Sequence, residues 1–196
     1  MKINKAVFLD KDGTLIPDIP YNTNPDLITL SPYAVKGLKR LMKSGYLLIV
    51  ISNQPGLAFG YIRKEEIFEI EQKLNSLLNM HGIYLSGFYY CPHHPKGIIK
   101  EFSIVCDCRK PKSGLLIEAA RIHNINLSDS WMIGDILDDI ESGNRVGCRT
   151  LLLNNGNETI WKMNNQRTPD CIVSDINHAA EYILIHDNYE RQQNRI

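Results

Sequence analysis

The sequence predicts an α/β fold, with a central parallel sheet covered by helices on both faces, three layers in all. Short apolar runs at Ala6–Leu9, Leu47–Ile51 and, after Ser130, Trp131–Ile133 are too continuous for half-exposed strands. They read as strands buried on both faces. Between them lie longer segments whose apolar residues recur at helical spacing. Strand and helix signals alternate along most of the chain, which is the rhythm of β-α-β units.

Each element follows from local chemistry. After the first strand, Asp18 to Leu30 is rich in Pro, Asn and Asp and is expected to be a loop lying over the strand tips. Val35, Leu38, Leu41 and Met42 mark the first helix, which Gly45 ends. The strand Leu47–Ile51 delivers Ser52-Asn53-Gln54-Pro55-Gly56 at its tip. Helix signals run from Lys64 to Met80 and stop at Gly82; Gly87 to Tyr90 is a short third strand. Ser113 to His123 is helical, with Leu116, Ala119 and Ala120 on one face. Strand four, Ser130 to Ile133, ends in Gly134-Asp135, and a helix follows through Arg145. Thr150 to Leu153 and Cys171 to Val173 are later strands, and Ile176 to Ile185 is the last helix. A single domain is expected over residues 1–186, with a frayed polar tail at 187–196.

Composition narrows the function classes. The chain has 196 residues, the size of one ordinary domain. Lys+Arg and Asp+Glu balance at 22 each, so no overall field favours nucleic acid or an anionic membrane. No apolar run is long enough to span a bilayer, and the first residues run straight into the first strand. The expectation is a cytoplasmic, monomeric protein with no nucleic-acid or membrane partner. Its five cysteines, an odd count, argue against a disulfide framework.

The chemistry centres on Ala6-Val7-Phe8-Leu9-Asp10-Lys11-Asp12-Gly13-Thr14-Leu15. Asp10 and Asp12, two apart on extended backbone, point the same way, and Gly13 permits the sharp turn that leaves them at the strand tip. Two carboxylates so close need a cation or a shared proton between them. Asp135 ends another strand and is either a further carboxylate for that cation or a helix N-cap. Ser52 and Asn53 offer donors suited to a phosphoryl oxygen, or form a polar turn. Arg109-Lys110-Pro111-Lys112 is either an anion clamp or a solvated basic turn. Cys91, Cys106 and Cys108, with His93 or His94, supply four soft or borderline ligands in two short turns, a set that fits tetrahedral structural Zn2+. Such a metal would pin the loop that carries Arg109 and Lys110.

The D-x-D-G-T-L run after a hydrophobic strand resembles the first motif of the haloacid dehalogenase (HAD) superfamily of aspartate-nucleophile phosphohydrolases. The resemblance implies a HAD-like, Rossmann-type fold, with no segment long enough for a separate cap domain. It implies that Asp10 attacks phosphorus, that Asp12 serves as acid and base, and that Ser52, Arg109 and Lys110 steady the phosphoryl group. Mg2+ would be held by Asp10, Asp135 and the backbone carbonyl of Asp12, with Asp139 bracing the loop. Cys91 to Pro95, Cys106 to Pro111, Gly56, Gly60-Tyr61 and Gly134-Asp135 narrow the likeness to the heptose 1,7-bisphosphate 7-phosphatases and, more distantly, the histidinol phosphatases. Within that group His93, rather than His94, is the implied zinc ligand alongside Cys91, Cys106 and Cys108. Asp18, Tyr21, Ser52, Asn53, Gln54, Arg109 and Lys110 are the implied contacts to a small phosphorylated sugar. Three positions depart from the heptose enzymes: Pro55, Phe59 and Ile136, all expected near the substrate. A polynucleotide 3'-phosphatase and a non-enzymatic zinc module are the rival readings. The first lacks a basic stripe here, and the second has no use for the aspartates.

Overall fold

The computed structural model describes residues 3–193. Six strands pair in the order β3-β2-β1-β4-β5-β6, every neighbour parallel. They are β1 (Lys5–Leu9), β2 (Tyr46–Asn53), β3 (Gly87–Cys91), β4 (Trp131–Gly134), β5 (Arg149–Leu153) and β6 (Cys171–Val173). The helices are α1 (Ala34–Lys43), α2 (Lys64–Asn79), α3 (Gly114–His123), α4 (Leu137–Asn144) and α5 (Ile176–Gln193).

Alternation along β1 divides the core. Val7 and Leu9 point to one face, packing with Leu38 and Leu41 of α1, Ile70 and Leu74 of α2 and Ile183 of α5. Ala6 and Phe8 point to the other, where Leu115, Leu116 and Ala119 of α3 cover them. Leu137 and Ile140 of α4 close over Leu152 on that second face. Phe8 is fully buried between Ile49 and Met132 on the flanking strands. Burial of a side chain that size contributes about 2–3 kcal/mol. The predicted three-layer arrangement and parallel sheet are therefore present, and among the described residues no cap domain interrupts them. The loop after β1 contains a 3-10 turn at Pro25–Leu27 and a single bridge between Asp12 and Ile16.

Several boundaries differ from the sequence reading by a single residue, and two differ by more. β2 continues through Ser52 and Asn53, because both pair with β3 (Ser52 opposite Tyr90, Asn53 opposite Cys91). The last helix does not stop at Ile185; α5 continues to Gln193. Asp187, expected in a frayed tail, accepts a hydrogen bond from Tyr46 Oη at 2.7 Å and pairs with Lys5 Nζ at 2.5 Å. Those two partners sit at the start of β2 and β1, so the tertiary contact holds the helical end that polar composition alone would release. The expected tail residues 194–196 lie outside the described residues. Among the described residues, no helix is long and apolar enough to cross a membrane.

Candidate active site

Strand order places the site. β1 and β4 lie side by side, and their connections leave in opposite directions across the sheet, which opens a crevice at their C-terminal ends. Asp10 and Asp135 stand on either side of that crevice. The Asp10 N–H extends the β1–β4 ladder by one bond, to the Ile133 carbonyl at 2.9 Å. Gly13 follows with a φ of +80°, and a Cβ built there would lie 2.1 Å from Asp135 Oδ2. Glycine is thus required twice over, by backbone conformation and by the close approach of the two tips.

A cavity of about 320 Å³ opens above these tips. Asp10, Asp12, Asp18, Tyr21, Asn53, Gln54, Lys110 and Asp135, all singled out from sequence, contribute to its lining, with Lys11 and Asn157. The carboxylate oxygens of Asp10, Asp135 and Asp139 come within 4.8 Å of one another, and all three residues are buried. Burial first, then the neighbouring carboxylates, holds Asp10 well above the ordinary aspartate range, against the opposing pull of Lys110. Asp135 is pushed up to about 6 by burial and by Asp139, while hydrogen bonds from Asn157 and Thr14 pull the other way.

Lys110 answers part of this charge. Its side chain is 2% exposed, and Nζ contacts Asp10 Oδ1, Asp139 Oδ1 at 2.6 Å and the Ile51 carbonyl at 2.8 Å. Burial disfavours its charge, but Asp10 and Asp139 outweigh that and keep the ammonium protonated. Asn53 fixes the lysine from outside: its amide donates to the Lys110 carbonyl at 3.1 Å and accepts from the Lys110 N–H at 3.0 Å. Both ends of that amide are therefore used on the backbone of Lys110. Asp12 is not part of the buried trio. Gln54 Nε2 donates to its Oδ2 at 2.9 Å, and Lys11 Nζ lies 2.9 Å from its Oδ1.

Other positions fall differently. Ser52 is 1% exposed, accepts from Gln54 Nε2 at 2.8 Å and is not among the residues lining the cavity. Arg109 is not among the lining residues; its Nη1 donates to the His93 carbonyl at 3.4 Å. Phe59, expected near substrate, instead packs its ring on His94 and Tyr61, at centroid distances of 4.8 and 6.0 Å. Pro55 and Ile136 do line the cavity. Asp139 also accepts from the Ile136 N–H at 3.3 Å, so it braces the start of α4 as well as Lys110.

Sequence reasoning passed over Thr14, Asn155 and Asn157. Thr14 Oγ1 donates to Asp135 Oδ1 at 3.1 Å, and Asn157 Nδ2 donates to Asp135 Oδ2 at 2.7 Å. Asn154-Asn155-Gly156-Asn157 directly follows β5, so the same strand-tip rule that marked Asp10 and Asp135 would have found it.

Both residue sets fit the metals that sequence suggested. Three buried carboxylates against one lysine leave uncompensated negative charge, in an all-oxygen donor set suited to a hard divalent cation. At the other cluster, Cys91 Sγ lies 3.0 Å from Cys108 Sγ, 3.6 Å from Cys106 Sγ and 3.7 Å from His93 Nδ1. Cys108 Sγ lies 3.3 Å from Cys106 Sγ and 3.2 Å from His93 Nδ1. The edges of a tetrahedron around zinc with thiolate bonds of ~2.3 Å are about 3.8 Å, so small outward shifts would accommodate the ion.

Comparison with known proteins agrees with this geometry. A HAD-hydrolase-like family model matches residues 107–179. The chain is 35% identical to the D-glycero-beta-D-manno-heptose-1,7-bisphosphate 7-phosphatase of Haemophilus ducreyi, over 91% of this chain and 98% of that one. It is 34% identical to the enzyme of the same name from Salmonella typhi, over 91% of this chain and 89% of that one. Among solved structures, the D,D-heptose 1,7-bisphosphate phosphatase of B. bronchiseptica, complexed with magnesium and phosphate, superposes with a TM-score of 0.76 at 25% identity. That match covers 93% of this chain and 99% of the other. Whole-length likeness at this level, on a fold whose strand tips already present a paired-aspartate site, shows that the chain belongs to the HAD-like D-glycero-beta-D-manno-heptose-1,7-bisphosphate 7-phosphatase family and is a phosphoric monoester hydrolase.

Proposed function

We propose that this enzyme removes the 7-phosphate of D-glycero-D-manno-heptose 1,7-bisphosphate through an aspartyl-phosphate on Asp10. The observation that carries the mechanism is the division of labour between two aspartates two residues apart. Asp10 is buried and paired with Lys110, whereas Asp12 faces the open cavity, held by Gln54 and Lys11. A carboxylate of Asp10 attacks phosphorus in line, and the bond between phosphorus and the sugar oxygen breaks. Asp12 gives a proton to the departing oxygen, then takes one from the water that attacks the acyl phosphate. Inorganic phosphate leaves, and Asp10 is restored.

Asp10 and Asp135 would hold Mg2+, which offsets the repulsion between an anionic nucleophile and an anionic ester. Lys110 supplies fixed positive charge on the same side, in a buried setting where it is little screened. Zn2+ in the Cys91–His93–Cys106–Cys108 cluster would be structural, since four protein ligands close its coordination sphere. It would fix Cys108 and, through Arg109, the position of Lys110 two residues on. Five unpaired cysteines suit a reducing cytoplasm.

The names of the relatives support the sugar, and the cavity volume of about 320 Å³ supports a compact substrate. The test is a comparison of kcat/KM for heptose 1,7-bisphosphate, histidinol phosphate and a 3'-phosphorylated oligonucleotide. The heptose is expected to lead. Preference for either other ester would overturn the sugar assignment and leave the phosphatase chemistry standing.

A further inference from the structure

Asp135 is the one carboxylate of the buried trio whose two oxygens are both held by side-chain amide or hydroxyl donors. Thr14 Oγ1 takes Oδ1 at 3.1 Å and Asn157 Nδ2 takes Oδ2 at 2.7 Å. Thr14 belongs to the same turn as Asp10. Asn157 comes from elsewhere, the long irregular segment between β5 and β6.

That segment is tied back at several points. Asn155 Nδ2 donates to the Gly13 carbonyl at 2.5 Å, and Asn155 Oδ1 accepts the Asn157 N–H at 3.1 Å. Glu158 Oε2 accepts the Leu137 N–H, at the start of α4, at 2.7 Å. Asn155 thus grips the β1 turn while it sets the backbone from which Asn157 reaches Asp135. Glycine at position 13 makes room for this: a Cβ there would meet Asn157 Nδ2 at 2.4 Å as well as Asp135.

We propose that Asn157, set in place by Asn155, is a positioning residue that orients the Asp135 carboxylate for the divalent cation it would share with Asp10. The inference rests on the reading of the trio as a magnesium site. Each carboxylate oxygen has two acceptor directions. Thr14 and Asn157 occupy one on each oxygen, which fixes the plane of the group and leaves the others free for a metal or its waters. An amide is the right donor for the task, because it adds no charge to a site already rich in carboxylates. Outer partners of ligating groups govern metal affinity about tenfold to a hundredfold. Asn157 itself is exposed at the surface of its loop, so its truncation spares the core.

The experiment titrates Mg2+ by calorimetry into the full-length wild-type chain and into Asn157→Ala and Asn155→Ala, without substrate. Steady-state kinetics at saturating Mg2+ and thermal melts accompany it. Asn157→Ala is expected to weaken Mg2+ binding about tenfold or more. At saturating metal, the loss of kcat should be smaller than the loss of Mg2+ affinity, because excess cation offsets the weakened site, and the melting temperature of the metal-free protein should stay close to wild type. Asn155→Ala, which removes no contact to the carboxylate, should weaken Mg2+ binding in the same direction by a smaller factor. Unchanged Mg2+ affinity in Asn157→Ala overturns the proposal. So does a rise in KM with metal affinity intact, which would make Asn157 a substrate contact. Failure of the phosphatase reading would look different: wild type would bind Mg2+ and hydrolyse none of the esters offered.

Discussion

Lys110 Nζ lies 2.6 Å from Asp139 Oδ1, and neither side chain is more than 2% exposed. The same ammonium meets Asp10 and the Ile51 carbonyl, so one lysine joins the tip of β1, the second strand and α4. Lys110→Met should therefore act on stability as well as on rate. It leaves Asp10 and Asp139 buried without their counter-charge, and breaking a buried pair in this way costs about 3–5 kcal/mol. Urea unfolding of the metal-free variant is expected to show a loss of that order, with kcat reduced as well. Unchanged stability would mean that the aspartates are satisfied by something other than the lysine.

Asp10→Asn separates chemistry from fold. The amide has nearly the shape of the carboxylate but cannot attack phosphorus as an anion. Turnover should fall at least about a thousandfold, as for the loss of a covalent nucleophile. Circular dichroism and the melting temperature should remain close to wild type. Near-normal activity would exclude an aspartyl-phosphate on this residue.

The thiol cluster makes a metal-content prediction. In the metal-free state burial holds the Cys91 and Cys108 thiols above the ordinary cysteine range, so uptake of zinc must expel protons. Freshly isolated, reduced protein should carry roughly one zinc per chain. Cys106→Ser should lose it and lower kcat/KM, because Cys108 directly precedes the Arg109-Lys110 pair. Elemental analysis of both proteins measures the first effect and steady-state kinetics the second.

Magnesium affinity should depend on pH. Asp135 in the metal-free protein titrates at about 6, and Asp10 also lies well above the usual aspartate value. A raised acid is protonated below its pKa, and only the ionised form binds a cation. Affinity should therefore be highest above neutrality and decline as pH falls through about 6, where protons compete with the metal. Calorimetric titrations between roughly pH 5 and 8 would reveal this slope. A flat profile would show that the carboxylates stay ionised despite their burial.

Much of the fold is legible locally. Continuous apolar runs gave the buried strands, helical spacing gave the helices between them, and Gly45 and Gly82 marked two helix ends, with φ of +84° and +67°. These signals depend on neighbours one to four residues away, which periodicity captures. The extent of α5 does not. Its polar end is held by Tyr46 and Lys5, which no local pattern connects to Asp187. The destination of Arg109 was equally hidden. Adjacent to Lys110 in sequence, it leaves the turn toward the His93 carbonyl while Lys110 enters the core.

The sequence by itself determined the chemistry available: two aspartates at a glycine-relieved strand tip, a third aspartate ending another apolar strand, and three cysteines with paired histidines. Only the tertiary structure decided which of these groups act together. Sheet order set β1 against β4 and so brought Asp10 to Asp135. Packing of the cysteine loop returned Lys110 to Asp10 across 100 residues of chain, and the loop after β5 added Asn157. The physical reason is that burying carboxylates is costly until partners arrive, and those partners come from strand tips that adjoin only once the core has assembled.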